Sequence, residues 1–196
     1  VSVLLGRNFD NHTISSTAGW ASDVFAADVD GDGDIDALSA SALDDTITWY
    51  ENNGSQVFTP HAITTTADGA QAVHALDVDD DGDIDVLLAS ENDDTVAWFE
   101  NDGSQNFTQH DITTTADGAQ DVQAADLDGD NDLDVLTASE NANTIAWYAN
   151  TLVLEHIETQ VDGENDVDGL AGAWGVIASP DGFNVYATGH DEDKLA

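Results

Sequence analysis

The sequence predicts an all-β fold: a β-propeller of four-stranded blades on a 49-residue repeat, forming part of a larger propeller. Three observations predict it. First, the segments Asp28-Val-Asp-Gly-Asp-Gly-Asp-Ile-Asp36, Asp77-Val-Asp-Asp-Asp-Gly-Asp-Ile-Asp85 and Asp126-Leu-Asp-Gly-Asp-Asn-Asp-Leu-Asp134 begin 49 residues apart. Second, the same spacing relates Phe9, Phe58 and Phe107, then His12, His61 and His110, then Trp49, Trp98 and Trp147, and the octapeptide Thr64–Gln71 recurs unchanged at Thr113–Gln120. Third, each unit carries four short strand patterns, and no window has the 3.6-residue period of a helix. Four strands in about 50 residues is the size of one propeller blade, and a blade buries its two faces only by stacking on neighbours.

The elements are clearest in the third copy. Phe107 to Thr114 begins with β-formers, and Ala119 to Ala125 leads into the acidic loop. Leu133 to Ala138 is apolar and branched, and Thr144 to Tyr148 alternates, with Ile145 and Trp147 on one face. Asp-Gly, Asn-Asp and Asn-Gly-Ser clusters separate them as turns. The units run from about 9–57, 58–106 and 107–151, so residues 1–151 hold three blades. After Asn150 the period breaks: His156 stands where the next Phe is due. The tail Gly172 to Thr188 reads as two alternating strands joined by the turn Ser179-Pro-Asp-Gly182, making 152–196 a partial, divergent blade. Three and a half to four blades imply truncation from a larger propeller. The alternatives are a small ring completed by the strand Val1 to Leu5, or a dimer assembling seven or eight blades. The absence of Met likewise marks a processed or excised piece.

Composition narrows the function. The chain has 41 acidic residues against two basic ones, Arg7 and Lys194, for a formal charge of −39. Nucleic-acid binding is excluded, because Lys and Arg are needed to replace phosphate counterions. Binding to an anionic membrane fails for the same reason, and no run of about 18 apolar residues spans one. A hydrophobic content of 41% supports a packed core rather than an acidic disordered tail. Cys is absent, so no disulfide contributes.

The acidic loops carry the chemistry. Each places carboxylates at positions 1, 3, 5 and 9, offers a backbone carbonyl at position 7, and needs a residue tolerant of left-handed backbone at position 6. In the first loop these are Asp28, Asp30, Asp32 and Asp36, with the Asp34 carbonyl and Gly33. In the second they are Asp77, Asp79, Asp81 and Asp85, with the Asp83 carbonyl and Gly82. In the third they are Asp126, Asp128, Asp130 and Asp134, with the Asp132 carbonyl and Asn131, the next-best residue for that turn. Ile35, Ile84 and Leu133 anchor the loops to the core. An all-oxygen, four-carboxylate loop selects Ca²⁺, about three ions in all. Zn²⁺ prefers His or Cys, and Mg²⁺ demands a tighter octahedron. Ser39, Leu88 and Thr137 stand where a helical EF-hand has its Glu, so this is a calcium loop without the helix pair. Read merely as soluble turns, the loops would crowd four carboxylates together three times over.

With these loops in place, residues 3 to 151 resemble the FG-GAP/VCBS repeat family, whose calcium-loop blades also build the integrin α-subunit propeller. The Phe-Gly and Gly-Ala-Pro marks of the family are not evident, which places the match nearer the VCBS-like branch. The resemblance implies a propeller with Ca²⁺ in its blade loops, on a secreted or surface-exposed protein. The tail through Gly175-Val-Ile-Ala-Ser-Pro-Asp-Gly-Phe-Asn-Val-Tyr186 is similar to lactonase-like (YVTN/NHL-like) propeller repeats.

Other features read as structural. Trp49, Trp98 and Trp147 fill the space between blades, the alternative being sugar stacking. His12, His61 and His110 are surface residues too far apart to share a metal, and Asp162 to Asp168 is a solvated loop. No Cys nucleophile, Gly-x-Ser-x-Gly elbow, phosphate loop or His-Glu-x-x-His motif is present. Trp20, Phe25 and His74 depart from the repeat without forming a catalytic set. The leading function is therefore a non-enzymatic, calcium-binding interaction scaffold for a protein or glycan ligand. The alternatives are the framework of a secreted lyase or dehydratase, and a structural spacer.

Overall fold

The computed structural model describes residues 9–151, 173–178 and 185–189. The chain divides into two compact units, Val1–Asn150 and Thr151–Ala196. In the first, β1 (Ala21–Ala27), β2 (Asp36–Ser41), β3 (Thr46–Asn52) and β4 (Phe58–Thr64) form one antiparallel sheet in chain order. β5 (Ala70–Leu76), β6 (Asp85–Ser90), β7 (Thr95–Asn101) and β8 (Phe107–Thr113) form a second in the same order. β9 (Ala119–Ala125), β10 (Asp134–Ser139) and β11 (Thr144–Tyr148) form a third. In the second unit β12 (Ala173–Ala178) pairs antiparallel with β13 (Val185–Gly189), the hairpin expected there. Its turn, half of the lactonase-like stretch, the Asp162 to Asp168 loop and the Val1 to Leu5 strand lie outside the described residues. Among the described residues there is no helix.

Local chemistry dictates this order. The β2–β3 turn ends on Asp45, at φ 57°, and its counterparts Asp94 and Asn143 sit at 57° and 50°. Asp and Asn tolerate that left-handed backbone best among non-glycine residues. The β3–β4 hairpin is closed by Asn53, whose N–H donates to Val57 O at 3.2 Å while its Oδ1 accepts from Ser55 and Val57 N–H.

The sheets are blades of the expected 49-residue length, but their phase differs from units drawn at Phe9, Phe58 and Phe107. Phe58–Thr64 and Phe107–Thr113 close the sheet before them as fourth strands. A period fixes the length of a unit, whereas the hairpins fix where it is cut. The crossings to the next sheet follow β4 and β8 and are held by the preceding turn. Ala67 N–H donates to Asp45 O and Gly69 N–H to Asp45 Oδ1, both at 3.0 Å. Ala116 and Gly118 repeat this on Asp94 at 2.9 and 3.0 Å.

The first strands β1, β5 and β9 lie side by side, which stacks the sheets as a propeller stacks its blades. Leu38, Ala40, Ile47 and Trp49 of the first sheet pack against Ala70, Val73 and Ala75 of the second. Leu87, Ala89 and Val96 on the opposite face of the second sheet pack against Ala119, Val122 and Val135 of the third. The central strand β6 is thus buried on both faces. Each Leu or Ile so buried contributes about 1.5–3 kcal/mol.

Trp49 meets the expectation of a core residue at 5% exposure, whereas Trp147 is 49% exposed. Trp49 lies on the face that packs against the second sheet, whereas among the described residues no sheet covers the face of Ile145 and Trp147, and strand pairing adds to the difference. Trp49 lies opposite His61 and Trp98 opposite His110, each pair with ring centroids 4.7 Å apart and planes inclined by 30° and 28°. No fourth strand supplies this ring to Trp147 among the described residues. His61 and His110 are partly exposed, as a surface reading predicts, yet each also pairs with a carboxylate, Glu51 at 2.8 Å and Glu100 at 2.7 Å.

Of the residues departing from the repeat, Trp20 is exposed, while Phe25 and His74 pack at the first junction with ring centroids 4.4 Å apart. Burial holds the His74 pKa below its ordinary 6.5, against the opposing pull of Asp121 and Asp23. A base with a lowered folded pKa stabilises above its unfolded value, and that stability is lost as pH falls through about 6.5. His74→Gln, the residue at the same position of the third blade, should therefore melt with a shallower acid slope than the wild type between about pH 7 and 5.5. Parallel slopes would exclude this role for His74.

Candidate metal centre

The three acidic loops join β1 to β2, β5 to β6 and β9 to β10, at the same end of each blade. Their turns are left-handed where the spacing requires, with Gly33 at φ 96°, Gly82 at 97° and Asn131 at 78°. Position 4 is left-handed as well, at Gly31 (71°), Asp80 (60°) and Gly129 (85°). Sequence reasoning missed that second turn, although Gly in two of three copies signals it.

Side chains fold inward onto the loop's own backbone. Asp28 Oδ2 accepts from Gly33 N–H at 3.0 Å, Asp30 Oδ1 from Asp32 N–H at 3.2 Å, and Asp32 Oδ1 from Asp34 N–H at 2.8 Å. Asp77, Asp79 and Asp81 repeat the pattern on Gly82, Asp81 and Asp83 N–H. Asp126, Asp128 and Asp130 do so on Asn131, Asp130 and Asp132 N–H. These turns draw the carboxylates together. Oxygens of Asp28, Asp30 and Asp32 lie within 4.8 Å of one another, as do those of Asp77, Asp79 and Asp85, and of Asp126, Asp128 and Asp134. Asp36 stands outside the first group, Asp81 outside the second and Asp130 outside the third. The side chains of Asp34, Asp83 and Asp132 join no group, and those of Asp34 and Asp83 lie against Gly54 and Gly103 of the following hairpin.

Position 9 has a second role that the spacing did not reveal. Asp36, Asp85 and Asp134 are buried. Asp85 Oδ2 accepts from Val78 N–H at 3.0 Å and its Oδ1 from Asn101 N–H at 2.8 Å, stapling the loop to the end of β7. Asp134 does the same with Leu127 and Asn150 N–H, both at 2.9 Å. Asp36 binds Val29 and Asn52 N–H and also accepts from Trp49 Nε1 at 2.9 Å. The sequence signal was available: each Asp opens a strand whose remaining residues are mostly apolar.

The electrostatics show the cost of this crowding. Lost hydration, reinforced by neighbouring carboxylates, raises the pKa of Asp30, Asp79 and Asp128, the third-position residue of every loop. Burial pushes Asp85 up to about 6, with Asp79 adding to it and hydrogen bonds from Asn101 and Val78 opposing it. Asp28 Oδ1 is buried without any hydrogen-bond partner, an acceptor that a cation would satisfy. Oxygen-only groups with this crowding and this orphaned acceptor fit a hard divalent cation.

The charge extends beyond the loops. At −39 the chain repels itself over its whole surface, and the Debye length shrinks to about 3 Å at 1 M salt. Melting curves at fixed Ca²⁺ should therefore rise from low to molar NaCl. A flat or falling series would contradict this reading.

Among the described residues no helix is long and apolar enough to cross a membrane. A family model described as an FG-GAP-like repeat matches the chain twice, over residues 28–88 and 77–137. Each match opens on the first carboxylate of a loop and runs through the next loop into the strand beyond it. No curated protein matches the chain.

Proposed function

We propose that this chain, which belongs to the FG-GAP-like repeat family, is a calcium-stabilised array of propeller blades from a secreted or cell-surface protein, serving as an interaction scaffold. The observation that carries the calcium reading is the threefold recurrence of grouped carboxylates within 4.8 Å on loops of one design. A bound ion would neutralise the loop carboxylates and hold each loop rigid. Asp28, Asp30 and Asp32, then Asp77, Asp79 and Asp85, then Asp126, Asp128 and Asp134 are the groups that would hold it, with Asp36, Asp81 and Asp130 beside them. The carbonyls of Asp34, Asp83 and Asp132 complete the set. Extracellular modules bind calcium at about 10⁻⁴–10⁻³ M, which matches a secreted setting.

The three loops at one end of adjacent blades make a rigid, calcium-ordered rim for a protein or carbohydrate ligand. A glycan array and a binding screen against extracellular proteins, each run with Ca²⁺ and with EDTA, test this. Binding that is lost in EDTA supports the scaffold. Silence in both screens would favour a structural spacer.

A further inference from the structure

Asn53-Gly54 is the sole Asn-Gly pair in the sequence, and the β3–β4 turn sets it up to react with itself. Residues 53–57 are all exposed. The turn requires glycine at 54, because the backbone there is left-handed at φ 74° and a Cβ would meet the Asp34 carboxylate. With no side chain at 54, the Gly54 nitrogen is unshielded beside the Asn53 side chain. Its N–H is held by an exposed bond to Asn52 Oδ1 at 3.2 Å, which water can replace. The Asn53 carbonyl is prepared as well. Its Oδ1 accepts from Ser55 N–H at 3.0 Å and from Val57 N–H at 3.3 Å. Two backbone donors on one oxygen polarise the carbonyl and stabilise the negative charge that forms there when a nucleophile adds. The second blade holds the same turn with a carboxylate already in place. Asp102 stands 49 residues on, Gly103 is left-handed at φ 72°, and Asp102 Oδ1 accepts from Ser104 N–H at 2.9 Å and Asn106 N–H at 3.2 Å. Bonds from Asn106 and Ser104 hold the Asp102 carboxyl below the ordinary carboxylate range, so it stays ionised and resists attack.

We propose that Asn53 is a site of self-modification, where the folded chain deamidates to aspartate and isoaspartate. The Gly54 nitrogen bonds to Asn53 Cγ while its proton passes through water to Nδ2. The Cγ–Nδ2 bond then breaks, and Nδ2 leaves as ammonia. The resulting cyclic imide joins the Gly54 nitrogen to both carbonyl carbons of residue 53, and a water molecule opens it. Breaking the bond to Cγ gives aspartate, and breaking the bond to the main-chain carbonyl carbon gives isoaspartate. Water is the only co-reactant. The two products differ in what they do to the turn. Aspartate at position 53 reproduces the arrangement of Asp102, so the turn is kept. Isoaspartate routes the main chain through Cγ and lengthens it by a methylene. That strains the Asn53 N–H bond to Val57 O and the neighbouring Asn52 N–H, which donates to Asp36 Oδ1 at 2.7 Å. Isoaspartate thus loosens the staple of the first acidic loop, while the matching turn of the second blade is spared.

The test incubates the whole chain at one mildly alkaline pH, folded in Ca²⁺ and unfolded in guanidinium chloride. Peptide mass spectrometry in isotope-labelled water then follows each asparagine and separates aspartate from isoaspartate. Asn53 should convert severalfold faster than any other asparagine. It should also convert faster in the folded chain than in the unfolded one, because only the folded turn holds Ser55 and Val57 N–H on Oδ1. Asn106, whose Nδ2 donates to Asp102 Oδ2 at 2.9 Å, should stay intact. Asn53→Asp should melt with the wild type, whereas aged protein enriched in isoaspartate should melt lower. Three results would overturn the proposal: no conversion at Asn53, slower conversion in the folded chain than in the unfolded one, or isoaspartate-bearing protein that melts with the wild type.

Discussion

Chelation should lower the melting temperature of this protein substantially, and Ca²⁺ should restore it better than Mg²⁺. The reason is the charge gathered in the three loops. Without an ion, Asp28, Asp30 and Asp32 and their counterparts repel one another within 4.8 Å. Binding to the folded state alone contributes about 2.7 kcal/mol per site at roughly 100-fold excess over Kd. At about 2–4 °C per kcal/mol for a chain of this size, each site is worth roughly 5–10 °C. Three divalent ions also offset six of the 39 net negative charges. Mg²⁺ restores less because it demands a smaller and more regular oxygen shell. Identical melting curves with and without EDTA would contradict the calcium reading.

The second large effect separates the two kinds of aspartate in one loop. Asp85→Ala should cost roughly 3–5 kcal/mol even in EDTA, since it strands the buried N–H groups of Val78 and Asn101, each an unmet donor worth about 1–3 kcal/mol. Asp77→Ala should cost little in EDTA, because its partners Asp81 and Gly82 N–H are exposed to water. In Ca²⁺ it should cost most of one site, more than replacement of the exposed Asp117. Denaturant titrations of both variants with and without Ca²⁺ measure this, and equal losses for Asp85→Ala and Asp77→Ala in EDTA would refute the distinction. Acid provides an independent check. With its folded pKa near 6 and an ordinary value of 3.8, Asp85 contributes stability that is fully present below about 3.8 and lost as pH rises through about 6. In EDTA the wild type should therefore gain on Asp85→Asn as pH falls from about 7 to 5.

Much of this was legible in the sequence because the repeat is strict. Asp-x-Asp-x-Asp-Gly carries its own turn chemistry, so the left-handed Gly33, Gly82 and Asn131 and the inward carboxylates follow from local hydrogen bonds. The strands follow from alternation and from branched residues between polar turns. The rest depends on partners distant in sequence. The blade boundary depends on which hairpin closes, so Phe58 and Phe107 open fourth strands rather than blades. The exposure of Trp147 depends on what covers its sheet face and its strand edge, and among the described residues nothing does, which its own strand pattern does not encode. The dual placement of Asp85, within reach of Asp77 and Asp79 yet bonded to Asn101 N–H, depends on the end of a strand 16 residues away.

The calcium claim is tested most directly by isothermal titration of Ca²⁺ into EDTA-stripped, dialysed protein. The account predicts saturable binding of three ions per chain, reduced to two by Asp77→Ala. A titration that shows no saturable heat, or a stoichiometry that Asp77→Ala leaves unchanged, would contradict it.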